Sequence, residues 1–322
     1  MKIKTIEEAV DAVTKNGLLL KKIPQSLLTQ DIISLAIKQN GLALDYISNK
    51  RKTDVCCLEA VKQNGLALEY VPKAIKSEAI CLVAVVEDGL SIEFVPRILK
   101  NEILCLEAVK QNGLALEFVP KSLKTLELCK AAVKQDGLAL AYTDIKDESL
   151  FLSAVKQMGF ALKYVPKTFR TKEICLEAVK QNGLALKYVP KNLKGATMCL
   201  EAVKQNAMAL HYVPRAFKTN ILCTEAVKKN RWVFFDLDNE FKIPAVCLAA
   251  VAQDGCLLKY APKSSKTLEV CLAAVQNDGL ALEFVPKTRR SEEICIAAVK
   301  RYGKIFKYVP KEHRDACRKA LA

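Results

Sequence analysis

Histidine is nearly missing from this 322-residue chain, which holds only His211 and His313. A histidine-built metal site or acid–base pair therefore has almost nothing to draw on. Tryptophan occurs once, at Trp232. No apolar run approaches the ~20 residues that cross a bilayer, and the stretch from Met1 to Glu7 lacks the apolar core of a secretory signal. There is no phosphate-cradling glycine loop, no metal motif and no strand-to-helix nucleophile turn. These absences argue against an enzyme, a cofactor, a bound metal and a membrane partner. They place the folded chain in a cytoplasm, that of the producing cell or of a target cell.

What is present is repetition. CLEAVKQNGLALEYVPKAIKSEAI (57–80), CLEAVKQNGLALEFVPKSLKTLEL (105–128) and CLEAVKQNGLALKYVPKNLKGATM (175–198) are copies of one unit. The alanine of its Ala-Val core recurs every 24 residues from Ala12 to Ala298, with one step of 22 between Ala132 and Ala154. Thirteen units cover the chain. Self-similarity of this kind marks a solenoid, because one unit buries too little to stand alone and its neighbours must stack on it.

Each unit carries local punctuation. A capping residue stands seven before the alanine in all units but two, where Gly195 and Ile243 take the place. Such side chains accept hydrogen bonds from the free N–H groups of a first helical turn. Glycine stands five after the alanine in eleven of thirteen units and is expected to end the helix in a left-handed conformation. The first helix should thus run about eleven residues, ~16 Å. The second segment, as in Leu66–Pro72, reads as a strand by its alternation and as a short helix by its four-residue spacings. Ala and Glu favour the helix, and proline stops it in ten units. The expected fold is all-α, a solenoid of about thirteen 24-residue two-helix repeats forming a rod or superhelix. At ~8–10 Å per packed unit its axis is on the order of 100–130 Å. Residues 1–322 are expected to form a single solenoid. Its irregularities are the shortened step near 143–146 and a degenerate unit near 226–249.

The pattern in Ala60–Tyr70 is an alanine-valine helix, then Lys-Gln-Asn-Gly, then Leu-Ala-Leu and an aromatic. It resembles an uncharacterised bacterial repeat family known as a domain of unknown function. That resemblance implies a helical architecture and supplies no catalytic residue.

Two rows of side chains read as core. Ten cysteines from Cys57 to Cys295 share one repeat position, and Phe151 replaces the row once. A free thiol behaves as a small buried hydrophobe, and stacked units would hold equivalent Cα atoms beyond disulfide reach. The aromatic row, as in Tyr70, Phe94 and Phe118, interchanges Phe and Tyr as packing allows. A base-stacking platform is its functional alternative.

The net charge of +15 permits an anionic partner. One basic row, including Lys52, Lys76, Lys100 and Lys124, stands just before the first helices. At helix ends that attract anions, such a row would suit a phosphate backbone. First-turn acids such as Asp54, Glu78 and Glu102 offset most of these cations. Three consecutive units lack that acid, leaving Lys194, Lys218 and Lys242 without it. The same region holds His211, Arg215 and the degenerate unit with Arg231, Trp232, Phe234 and Phe235. These nine residues form the expected partner-binding site, since Trp and Arg dominate binding hot spots. The expectation is a non-enzymatic scaffold that engages a protein through an extended superhelical face, as an effector or inhibitor. The alternative is a solenoid that binds RNA or a ribonucleoprotein, such as an inhibitor of a nucleic-acid-guided defence complex.

Overall fold

A computed structural model describes residues 3–321. The chain divides into two compact units, Met1–Phe169 and Arg170–Ala322. Each is an all-α repeat stack, and no strand occurs among the described residues. Unit 1 contains α1 (Ile6–Lys15), α2 (Gln30–Gln39), α3 (Asp54–Gln63), α4 (Glu78–Glu87), α5 (Glu102–Gln111), α6 (Leu126–Gln135) and α7 (Glu148–Gln157). Unit 2 contains α8 (Lys172–Gln181), α9 (Ala196–Gln205), α10 (Asn220–Lys229), α11 (Val233–Asp236), α12 (Pro244–Val251), α13 (Leu268–Asn277), α14 (Glu292–Arg301) and α15 (Arg314–Lys319). Within each unit the long helices pack side by side in chain order, and the second segments form a parallel layer against them.

The capping row works as its chemistry demands. Thr53 Oγ1 accepts the Cys56 N–H at 3.3 Å, and Asp147 Oδ1 accepts the Leu150 N–H at 2.8 Å. Gly195 and Ile243 supply no such bond, and α12 starts instead on Pro244, whose missing N–H is not needed there. Most long helices run ten residues, and their buried face is two adjacent pairs one turn apart, as in Leu104, Cys105, Ala108 and Val109.

The second segment is helical, but it is a 3₁₀-helix, as in Gly65–Tyr70. In a 3₁₀-helix residues three apart lie in line. Gly65, Leu68 and Val71 accordingly share the buried side, with Ala67 beside them. Asn64 starts this segment in an extended conformation, its Oδ1 accepting the Leu66 N–H at 3.0 Å. A third element follows the proline in most repeats, a single 3₁₀ turn such as Arg97–Leu99 after Pro96.

The glycine row does not serve the purpose expected of it. No described residue, glycine included, has a positive φ. The glycine is needed for close approach instead: a Cβ on Gly65 would sit 2.3 Å from the Ala84 carbonyl oxygen of the next repeat. The long helix ends on the preceding Asn or Asp, whose extended backbone carries the chain into the 3₁₀ segment.

The shortened step is absorbed in residues 143–146. The 3₁₀ segment Gly137–Tyr142 and α7 both survive, while the proline and its third-element turn are gone. Phe151, which replaces cysteine in α7, is buried and meets Phe169 edge-on at 5.3 Å. The ten row cysteines are fully buried and unbridged. Burial pushes their thiols up, to about 11 for Cys57, Cys175, Cys247 and Cys295, with nearby cations such as Lys52 pulling the other way.

Candidate partner-binding surface

The first basic row is largely turned inward. Lys76 Nζ donates to the Phe94 carbonyl at 2.9 Å, Lys100 to that of Phe118 at 2.9 Å, and Lys266 to that of Phe284 at 3.0 Å. In Arg290 the guanidinium does the same for Tyr308 at 2.7 Å. Each cation caps the C-terminal end of its own repeat's 3₁₀ segment, where unpaired carbonyls concentrate negative charge. Burial lowers the pKa of Lys76, Lys100 and Lys266. This corrects the reading of the row as a phosphate track. Lys194 follows the same rule: its Nζ lies 3.1 Å from the Tyr212 carbonyl, so it is not the partnerless cation that its missing first-turn acid suggested.

The chain departs from its own pattern after α9. Ala207 stands where most repeats have glycine, and Lys229 stands where most have the glutamine that ends the long helix. Elsewhere that glutamine's Oε1 accepts the glycine N–H of the preceding repeat, as between Gln205 and Gly183 at 2.6 Å. Both members of that tie are thus replaced between α9 and α10.

The degenerate repeat follows immediately. Asn230 Oδ1 accepts the Trp232 N–H at 3.0 Å, and α11, a single α turn, replaces the 3₁₀ segment. Trp232 is 58% exposed and stacks on Phe235 at 5.8 Å. Phe235 in turn meets the edge of Tyr260 at 4.9 Å, and all three rings reach solvent. The Arg231 guanidinium lies 5.2 Å from the Trp232 ring, within cation–π range, and 3.6 Å from Asp254.

The remaining expected site residues divide. Phe234 is fully buried and Lys242 is 8% exposed, with the ammonium 5.1 Å from the Phe234 ring. Neither offers a side chain to a partner, which corrects their place in the site. Phe234 follows the inward spacing of the segment, and Lys242 lies over its ring. Lys218 is half-buried, 5.9 Å from the Phe241 ring. Arg215 is exposed and paired with Glu240 at 2.5 Å. His211 is exposed, its ring edge-on to Tyr212 at 5.1 Å. The structure therefore brings Arg231, Trp232 and Phe235 together and adds Tyr260, which the sequence assigned to the packed aromatic row. Among the described residues no group of three His, Cys, Asp or Glu side chains is placed to hold a metal, and no helix is long and apolar enough to cross a membrane.

The model of the Domain of unknown function (DUF4116) matches residues 8–52, 77–124, 101–146, 147–194, 246–288 and 267–314. The chain belongs to this family. No curated protein and no solved structure matches it. In this chain the repeat is a long α-helix, a 3₁₀ segment and, in most copies, a post-proline turn.

Proposed function

We propose that this DUF4116 chain is a non-enzymatic scaffold that binds a protein partner through the surface around Trp232. The observation that carries the reading is the solvent-facing stack of Trp232 and Phe235, in the repeat that departs furthest from the common pattern, on Tyr260 of the next repeat. Phe151 is buried, whereas Phe160, Tyr164 and Tyr302 are also exposed. Here three rings face water in one contacting group, with Arg231 beside them. Aromatics beside an arginine are the commonest anchors of protein interfaces. A partner captured in this way would be blocked or held in place, as an effector or inhibitor acts.

The test is affinity capture from nuclease-treated lysate with the full-length chain and its Trp232→Ala variant, followed by mass spectrometry. Proteins retained by the parent and lost from a variant with unchanged circular dichroism are expected. Identical captured sets would reject the reading.

A further inference from the structure

One repeat position changes sign between the two units. It lies four residues before the residue that follows the proline, and both face water. In the middle of unit 1 the pairs are Glu69 with Lys73, Glu93 with Arg97 and Glu117 with Lys121, an acid and a base each time, while Lys21 with Gln25, Asp45 with Asn49 and Ala141 with Ile145, like Phe235 with Asn239 in unit 2, follow neither form. In unit 2 the pairs of the other form are Lys187 with Lys191, His211 with Arg215, Lys259 with Lys263 and Lys307 with Lys311. Glu283 with Lys287 keeps the unit 1 form, and Lys163 with Lys167 at the end of unit 1 has the unit 2 form. Beside these positions lie the half-buried capping cations of the first basic row. In unit 1 the acids Glu69, Glu93 and Glu117 balance them; in unit 2 the exposed bases add to them.

The consequence is an uneven molecule. Unit 2 carries 27 Lys and Arg against 15 Asp and Glu, whereas unit 1 carries 23 against 20. A general preference for lysine across the chain would raise both units alike, because they are built from the same repeat. The difference is therefore local to unit 2, and part of it falls on this face of the 3₁₀ layer.

We propose that this face of unit 2 binds the phosphate backbone of single-stranded RNA without regard to sequence. The step goes beyond the protein-scaffold reading and does not depend on it. Lysine decides the class of ligand. Protein interfaces are depleted in lysine, whereas an ammonium is a compact point charge well suited to phosphate. A row of cations at a regular step makes an electrostatic track along which a polyanion exchanges its counterions. A flexible strand can adjust to a step of ~8–10 Å between packed repeats. A duplex is far stiffer and adjusts less.

The experiment measures fluorescence anisotropy of a labelled 20-nucleotide oligouridine with the full-length chain, from 50 to 200 mM salt. The decisive variant is Lys187→Glu/Lys259→Glu/Lys263→Glu/Lys307→Glu. Its control is Lys73→Glu/Lys110→Glu/Lys121→Glu/Lys134→Glu, which changes the net charge equally using exposed lysines of unit 1. Binding that falls with salt is expected, with the unit 2 variant roughly 10–100-fold weaker and flatter in its salt dependence. The control should stay within about threefold of the parent. Equal loss in both variants would mean general charge attraction and would overturn the proposal, as would absence of binding at 50 mM salt. Equal or tighter binding of a 20-base-pair duplex overturns the single-stranded assignment. Competition by poly-L-glutamate as effective as that of unlabelled RNA, at equal charge, overturns the assignment to nucleic acid in favour of an acidic protein. Circular dichroism confirms that each variant is folded. Since Trp232 is untouched, loss of RNA binding leaves capture of a protein partner intact and the two readings separable.

Discussion

The Gly113 N–H donates to Gln135 Oε1 across a repeat boundary at 2.6 Å, while Gln135 Nε2 reaches back to the Gln111 carbonyl at 3.3 Å. One side chain thus serves both the free donor that opens a 3₁₀ segment and a free acceptor near the end of the preceding long helix. The same bond to glycine recurs between Gly41 and Gln63 and between Gly137 and Gln157, and Asn277 makes it to Gly255. The glutamine of the Lys-Gln-Asn-Gly motif is therefore the tie between successive repeats.

Gln135→Ala leaves the Gly113 N–H half-buried without this acceptor. It should destabilise unit 1 by about 1–2 kcal/mol, read as a shift in urea midpoint. Gln135→Glu, which keeps an acceptor and loses the donor, should cost less. Equal costs would mean that the bond to Gly113 is not the one that matters.

Gly65→Ala places a methyl group 2.3 Å from the Ala84 carbonyl oxygen, an atom of the backbone that cannot rotate aside. Overpacking of this kind costs about 1–3 kcal/mol. Gly195→Ala, where nothing lies within 4 Å of the added Cβ, should cost less than about 1 kcal/mol and act only through the helix cap. Thermal melts of the two variants compare them directly. A similar small shift for both would remove close approach as the reason for the glycine row.

The thiol row makes the fold sensitive to alkali. Burial raises Cys57, Cys175, Cys247 and Cys295 from 9.0 to about 11. A group whose pKa is raised on folding contributes stability that is complete below its unfolded value and is lost as pH climbs through the folded one. Stability should thus fall between pH 9 and 11, by up to about 1.4 kcal/mol per pH unit for each such thiol. The capping lysines, lowered by burial, oppose this with smaller shifts. Thiolate absorbance should lag behind that of the urea-unfolded chain, and Cys57→Ala/Cys175→Ala should flatten the decline. Thiolate forming near pH 9 in the native protein would contradict the burial.

The face that each residue takes was only partly legible in the sequence. Leu68 and Val71 point inward together because a 3₁₀-helix repeats every three residues, a period that neither alternation nor four-residue spacing detects. Lys194 looked free because its partner, the Tyr212 carbonyl, lies eighteen residues away and carries no side-chain signature. Trp232 and Phe235 were noticed as departures from the repeat, whereas Tyr260 matched the regular aromatic row and gave no warning that it would complete their stack. The substitutions Ala207 and Lys229 were equally visible as letters. Their joint meaning appeared only once the glycine–glutamine tie was known.

The amino-acid order by itself determined the repeat, its helical first segment, the caps that start it and the cysteine, alanine and valine face that it buries. All of these depend on contacts within a few residues and on one hydrophobic period. Tertiary structure decided what the glycines, glutamines and capping cations are for, since each of them meets backbone atoms brought close only by folding. A backbone carbonyl is the same in every residue, so nothing in the sequence marks the one that a lysine or a glycine will meet.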